Sequence, residues 1–393
     1  MTTSDDGVVA PSLVEGEWAR VGWEVGRDVA APVADEVDRD ARVPREAIEA
    51  MRQRGLLSML LPRDAGGGEA GVAEAAQVAR VLAGHCASSA LVFAMHSIEA
   101  YNLRRHGTSS PLRDLAREAA ADGLLIANAN SEVGVGGDVS RSIAAVDTTT
   151  TSWTLDKACL AISYAEASDL IFASARRDED AAETDQVFVA LRRGDCRLET
   201  QSGWDTLGLR GTCSQGYRLS GPVARGSVFP VPFATIANDG GGQVRQLLLS
   251  AVWVGLADAA LARAHAFVQA AARKAVGTVP PGALRVAEIA ERVQGARALL
   301  VAAAERFASL EAAGQLENLP FQMSLRTLKV ATSSAAVEAA TRALEVCGIV
   351  GFKRDSPFSM DRIVRDAHGG LVMVSNDRYL QDNARTLLVA KHL

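Results

Sequence analysis

The stretch Ser131-Glu-Val-Gly-Val-Gly-Gly-Asp138 sets three glycines between a hydroxyl and a carboxylate. Glycine backbones reach conformations closed to other residues and let a ligand approach the main chain closely. A second turn-rich stretch, Trp204-Asp-Thr-Leu-Gly-Leu-Arg-Gly-Thr-Cys-Ser214, is followed by a strand pattern. Near the C-terminus, Ser375-Asn376-Asp377 precedes a helical stretch, where hydroxyl, amide and carboxylate are good capping chemistry. Asp377 is read there as a cap in preference to a catalytic base. Ala272-Arg273-Lys274-Ala-Val-Gly277 reads as a helix end, with two cations near the negative pole of the dipole. His96, Glu99 and Tyr101 share one helical stretch and read as a core-edge histidine, a surface glutamate and their neighbour. The five cysteines are scattered without a C-x-x-C pair, which implies neither a disulfide framework nor a zinc site.

The elements that must position these residues fall into three blocks. Residues 1–122 and 236–393 carry long Ala- and Leu-rich helical patterns, while residues 123–235 switch to β-branched runs bounded by Gly, Asn, Asp and Ser. Helices are expected over 13–37, from Pro44 to Gly55, and over 70–82, 88–105, 111–121, 243–274, 284–312, 320–346 and 376–392. The middle block reads as half-buried antiparallel strands. This α+β arrangement puts a small β-domain between helical blocks, a favoured setting for a cofactor cleft. A net charge of −6 leaves no basic footprint for nucleic acid. The apolar run 247–264 carries Asp258 and Arg263, which argues against a membrane span. The N-terminus lacks a secretory pattern, so the expected location is cytoplasmic.

Taken together and in order, the two central stretches resemble the acyl-CoA dehydrogenase superfamily. Ser131–Asp138 is similar to its T-E-P-x-A-G-S-D loop, and Gly208–Ser214 to its G-[ML]-R-x-T-x-S segment. Other stretches agree in part. Ala272–Gly277 resembles E-R-x-x-F-G, Glu345–Phe352 resembles Q-x-x-G-G-x-G-[FY] with Gly348 and Gly351 retained, and Pro357 to Ala367 matches P-x-x-[RK]-x-x-R-D-[AS]. The resemblance implies a three-domain fold: an N-terminal helical domain, a β-barrel-like centre and a C-terminal four-helix bundle. It implies FAD, or FMN in its place, and a homo-oligomer, dimer or tetramer. It places Asn128, Asn130, Ser131, Gly134, Gly136, Ser163, Glu345, Gly348 and Asp377 at the cofactor, with Arg273 reaching it across a subunit interface. His96, Gly137, Gln243, Arg245 and Gln246 fall at the substrate. Ser163 takes the position of a hydroxyl on flavin N5, an atom that such a donor–acceptor group suits.

An acyl-CoA dehydrogenase also needs a carboxylate to remove the α-proton. The two positions where the family keeps it are Ser375 and Arg245 here. Gln243 and Gln246 replace an Asp/Arg pair that helps hold CoA substrates. The expected activity is therefore that of a reduced-flavin monooxygenase or oxidase-type member, acting on a small molecule and fed by a flavin reductase. The alternative is a dehydrogenase of acyl thioesters with Asp377 as a displaced base and an electron-transfer flavoprotein as acceptor. A catalytically degenerate partner subunit is the third reading.

Overall fold

The computed structural model describes residues 16–274 and 277–389. The chain opens with α1 (Glu17–Val25), a π-turn (Gly26–Ala30) and α2 (Ala31–Arg39), so the helix expected over 13–37 is real from Glu17 onward but loosened at its centre. Next come α3 (Arg45–Gln53), α4 (Val72–Ala83), α5 (Ala87–His106) and α6 (Ser110–Asp122). Pro44 stands one residue ahead of α3, as its N-cap. α5 is buried almost all round rather than on one stripe.

Two small sheets follow. One orders β1 (Ile126–Ala129), β4 (Leu170–Arg176) and β5 (Gln186–Arg192); the other orders β2 (Val146–Asp147), β3 (Trp153–Cys159), β7 (Gly216–Val223) and β6 (Arg197–Ser202). The expectation of antiparallel strands fails at β1, which runs parallel to β4 with Ile126 opposite Leu170. Between them the chain crosses the second sheet and returns in the same direction, the long connection that parallel pairing requires. The expectation of half-buried strands fails at β4 and β5, whose residues are buried on both faces except for Arg176 and Arg192 at the ends. Phe172, Phe188, Phe229 and Phe233 interlock there, with ring centroids 5.1–5.7 Å apart. Such aromatic contacts add to the burial of their area.

The C-terminal helices are α8 (Gly242–Lys274), α9 (Ala283–Ala312), α10 (Leu319–Phe352), α11 (Asp361–Val372) and α12 (Asn376–Val389), preceded by the single turn α7 (Phe233–Ile236). By length and composition α8, with the turns ahead of it, could cross a membrane, but 83% of its apolar window is buried inside the protein. It packs so closely on α4 that a Cβ at Gly255 would fall 2.1 Å from the Arg80 carbonyl oxygen. Beside that contact Asp258, fully buried, takes Arg80 Nε at 2.6 Å and Arg297 Nε at 2.7 Å, which ties α4, α8 and α9 together.

α11 was not expected from the sequence, and it contains the Arg365-Asp366-Ala367 motif. Asp366 accepts the Leu209 N–H at 2.6 Å, and Arg365 grips Asp38 of α2 and Asp361. Arg210 donates to the Asp38 carbonyl at 2.8 Å, so the first, middle and last blocks are fastened at one point. Burial pushes the Asp366 carboxyl up to about 6. α10 runs past its expected end at Val346, with a break at Gly348 (φ 56°, ψ −143°) that suits glycine.

Candidate functional site

Three stretches of the β-domain converge. The Ser131 hydroxyl donates to the Ala161 carbonyl at 2.9 Å and accepts the Ala161 N–H at 3.2 Å, which joins the glycine loop to the β3–β4 connection. Two residues on, the half-buried Ser163 hydroxyl lies 2.7 Å from that of Ser214, which in turn is 2.8 Å from Thr212. Tyr164 follows at φ 44° and donates from its hydroxyl to the Ile126 carbonyl at 2.9 Å. The loop itself has Gly134, Gly136 and Gly137 all at positive φ, and a Cβ at Gly136 would meet nothing within 4 Å. At Gly136 the rim is therefore open backbone.

The C-terminal helices close on this rim. Arg378 of α12 donates to the Gly137 carbonyl at 2.5 Å and to the Gly136 carbonyl at 2.8 Å. Ser375 and Asp377 lie just before it, both exposed. Asp377 stands inside the first turn of α12 rather than ahead of it, so its place is beside the dipole's positive end and not the cap position. The turn before α12 is set by Lys329 of α10. This buried ammonium donates to the Gly370 carbonyl at 2.8 Å, the Val374 carbonyl at 2.5 Å and Asn376 Oδ1 at 2.6 Å. Burial lowers its pKa to about 8.

Behind β1 sits a third polar group. Glu99 of α5, 1% exposed, accepts hydrogen bonds from the amides of Asn102 (2.9 Å) and Asn128. Burial drives its carboxyl up to about 7, against the pull of those amides and of Arg245. Asn128 Oδ1 accepts the Asn130 N–H at 3.2 Å, and Asn130 Oδ1 accepts the Ser174 N–H at 3.1 Å. The network thus runs from α5 along β1 to the residue before Ser131. Arg245 Nε, Gln246 Oε1 and Asn102 Oδ1 are buried without hydrogen-bond partners among the described residues.

The "Acyl-CoA dehydrogenase, N-terminal domain" family matches residues 24–111, and the "Acyl-CoA dehydrogenase, C-terminal domain" family matches residues 247–374. The chain belongs to the acyl-CoA dehydrogenase family. Among its relatives, the amino sugar nitrososynthase DnmZ of Streptomyces peucetius is 27% identical over 85% of this chain and 83% of its own length. The probable acyl-CoA dehydrogenase fadE25 of Mycobacterium bovis is 25% identical over 86% of this chain and 85% of its own. In fold, FMN-bound TdsC from Paenibacillus sp. A11-2, a dibenzothiophene monooxygenase, superposes with a TM-score of 0.82, covering 94% of this chain and 97% of that one at 18% identity. The chain is a flavin-dependent oxidoreductase of this family, with FAD or FMN as cofactor.

The residues between the β-domain and α12 fit a flavin. The glycine loop leaves bare backbone at Gly136 for close approach, and Ser163 presents a hydroxyl that donates or accepts. The Gly208–Ser214 and Arg365-Asp366 motifs fasten the domains together. Gly208 has no room for a Cβ, which would fall 2.3 Å from the Arg365 carbonyl oxygen.

Two residues expected at the substrate, His96 and Gln243, are tied into the scaffold. His96 is buried scaffold: Nε2 donates to the Leu57 carbonyl at 2.6 Å and Nδ1 accepts the Ile126 N–H at 3.1 Å. Burial depresses its pKa to about 4, so it is neutral. Gln243 spends its amide on the Asn238 and Leu316 carbonyls (2.6 and 2.8 Å) and its oxygen on the Gly240 N–H (3.2 Å). Both polar groups of each are spent on the backbone. Arg273, expected to reach the cofactor across a subunit interface, is exposed on this chain, as are Glu345 and Gly348. Glu99 is not the surface residue expected. Lys329 and Arg378 are the residues of this region that sequence reasoning missed. Only Lys329 left a trace, a lone cation on the buried stripe Leu325, Thr332 and Ala336.

Proposed function

We propose that the chain is a reduced-flavin-dependent monooxygenase of a small molecule. The carrying observation is the chemistry of the turn opposite the glycine loop. The position where the family's carboxylate would stand is Ser375, the other such position is Arg245, and Asp377 is an exposed residue of a helix's first turn. Proton abstraction from an acyl thioester lacks its base on this wall. A reduced flavin, when bound, supplies the two electrons that activate dioxygen. In this reading Ser131, Gly134 and Gly136 cradle the flavin, Ser163 addresses its reactive edge, and Arg378 with Lys329 holds the facing turn in place. Assembly into a homo-oligomer and supply by a separate reductase belong to the same proposal.

The kinship with a named nitrososynthase and the fold shared with a named monooxygenase support this reading. The 25% identity to a probable acyl-CoA dehydrogenase supports the alternative, thioester oxidation. The test has two arms. Flavin-loaded protein mixed anaerobically with acyl-CoA thioesters of graded length keeps its colour. Given NADH, a flavin reductase and labelled dioxygen, it transfers one labelled oxygen atom to a member of a panel of amines and sulfides. Bleaching by a thioester overturns the proposal, and failure to bind any flavin promotes the degenerate-subunit reading.

A further inference from the structure

We propose that Thr212 and Ser214 are positioning residues that fix the direction of the Ser163 hydroxyl, so that Ser163 only accepts a hydrogen bond at the cleft and the site selects reduced over oxidised flavin. The three hydroxyls form a line that ends on a carbonyl. Ser163 lies 2.7 Å from Ser214, Ser214 lies 2.8 Å from Thr212, and Thr212 lies 3.0 Å from the Leu209 carbonyl oxygen. Two oxygens this close attract only with a hydrogen between them. Three contacts need three hydrogens, and each hydroxyl owns one. The carbonyl has none to give, so Thr212 donates to Leu209, Ser214 to Thr212, and Ser163 to Ser214. An isolated hydroxyl donates or accepts, but this one has committed its hydrogen inward and faces the cleft with lone pairs alone. Donating to the next member also makes each oxygen in the line a stronger acceptor.

The backbone around the line holds it in this arrangement. The Arg210–Thr212 turn is flanked by Leu209 (φ 55°) and Cys213 (φ 45°), and Tyr164 beside Ser163 has φ 44°. Left-handed backbone at such residues is uncommon and is kept where the surrounding structure imposes it. Here the Tyr164 N–H donates to the Thr212 carbonyl at 2.8 Å and the Ile162 N–H to the Gln215 carbonyl at 3.0 Å, which clamps together the stretches that carry Ser163 and Ser214. Leu209 is held by the bond from its N–H to Asp366 at 2.6 Å, and its carbonyl also takes the Trp204 indole at 3.3 Å and the Thr212 N–H at 3.1 Å. Thr212 and Ser214 are both buried, so the inner end of the line is shielded from solvent.

The nitrogen N5 of oxidised flavin carries a lone pair, and that of reduced flavin carries a hydrogen. A hydroxyl that only accepts repels the first and bonds the second. This rests on the reading above, which seats Ser163 at the flavin's reactive edge, and deepens it: an enzyme fed with reduced flavin is served by a seat that prefers it. The test titrates oxidised and dithionite-reduced flavin, FMN and FAD each, anaerobically into the protein and measures the midpoint potential of the loaded form. Reduced flavin should bind at least about tenfold more tightly, equivalent to a midpoint about 30 mV above that of free flavin for a two-electron couple. Ser214→Ala frees the Ser163 hydrogen and Thr212→Val frees the line to reverse, so each should bring the ratio of the two affinities to about one, while Thr212→Ser keeps it. A merely structural role would weaken both redox forms alike and leave the ratio unmoved. Thr212→Val preserves the side chain's shape and carries the test should Ser214→Ala fail to fold. A ratio that survives both substitutions, a wild type that holds oxidised flavin as tightly as reduced, or no binding of any form overturns the proposal. Failure to transfer labelled oxygen would strike the monooxygenase reading and leave this ratio as it is, so the two fail separately.

Discussion

Asp258 and Glu99 are both carboxyls buried in the helical framework, and their partners differ in kind. Asp258 faces two guanidinium groups at 2.6 and 2.7 Å, each from a different helix. Glu99 faces two side-chain amides and has its nearest cation, Arg245, out of contact. A charge buried among opposite charges is fixed, and its removal strands its partners. A charge buried among neutral donors is only half compensated, and its proton becomes the variable quantity. One carboxyl serves cohesion; the other is free to serve chemistry.

The comparison breaks first at Asp258. Asp258→Asn leaves a buried and a half-buried guanidinium uncompensated and costs about 3–5 kcal/mol in urea unfolding; a cost near zero would mean that the triad is no staple. Lys329 is the cationic counterpart, wholly satisfied by neutral oxygens. Lys329→Met orphans two carbonyls and should lose about 2–4 kcal/mol, together with measurable weakening of flavin binding as the Ser375 turn relaxes. Retained flavin affinity would separate that turn from the cofactor.

Glu99→Gln sharpens the contrast through pH. The folded-state value of about 7 lies above the ordinary 4.5, so the native state holds the proton more tightly. Stability from this group is complete below pH 4.5 and is lost as pH rises to 7, by up to about 1.4 kcal/mol per pH unit. The difference between wild type and Glu99→Gln should carry that slope. Asp366, raised to about 6, and His96, lowered to about 4, contribute to both proteins and cancel. A flat difference would place Glu99 as permanently ionised. The smallest effect is expected at exposed Asp377, where Asn gives up only a solvent-screened attraction to the helix's positive end. Asp377→Asn should shift stability by less than about 0.5 kcal/mol and leave turnover intact. Lost turnover in folded, flavin-loaded protein would make Asp377 a base and restore the dehydrogenase.

The pairing of the Ser131–Asp138 and Gly208–Ser214 stretches was legible because turn chemistry is local, written in glycines and hydroxyls. Glu99 was illegible for the opposite reason. α5 is buried nearly all round, so no apolar stripe marks which residues face inward, and a glutamate on such a helix looks like any other. The parallel run of β1 against β4 escaped because alternation records which face a residue takes, not the direction of its neighbour. α11 escaped because its His368-Gly369-Gly370 end reads as a turn. Gly370 is there because a Cβ would sit 3.1 Å from both Ser333 and Trp253, a demand made by other helices.

The knot that joins Asp38, Leu209, Arg210, Arg365 and Asp366 has a consequence for the order of events on the ribosome. Asp38 and Arg365 are 327 residues apart in sequence, and the middle stretch docks on both ends. The contact of Asp38 cannot form until the chain has grown a further 327 residues. Closure of so large a loop makes folding slow and keeps apolar α2 and α5 surfaces uncovered throughout synthesis. Truncation shortly before Arg365 should give insoluble product, not a smaller folded domain.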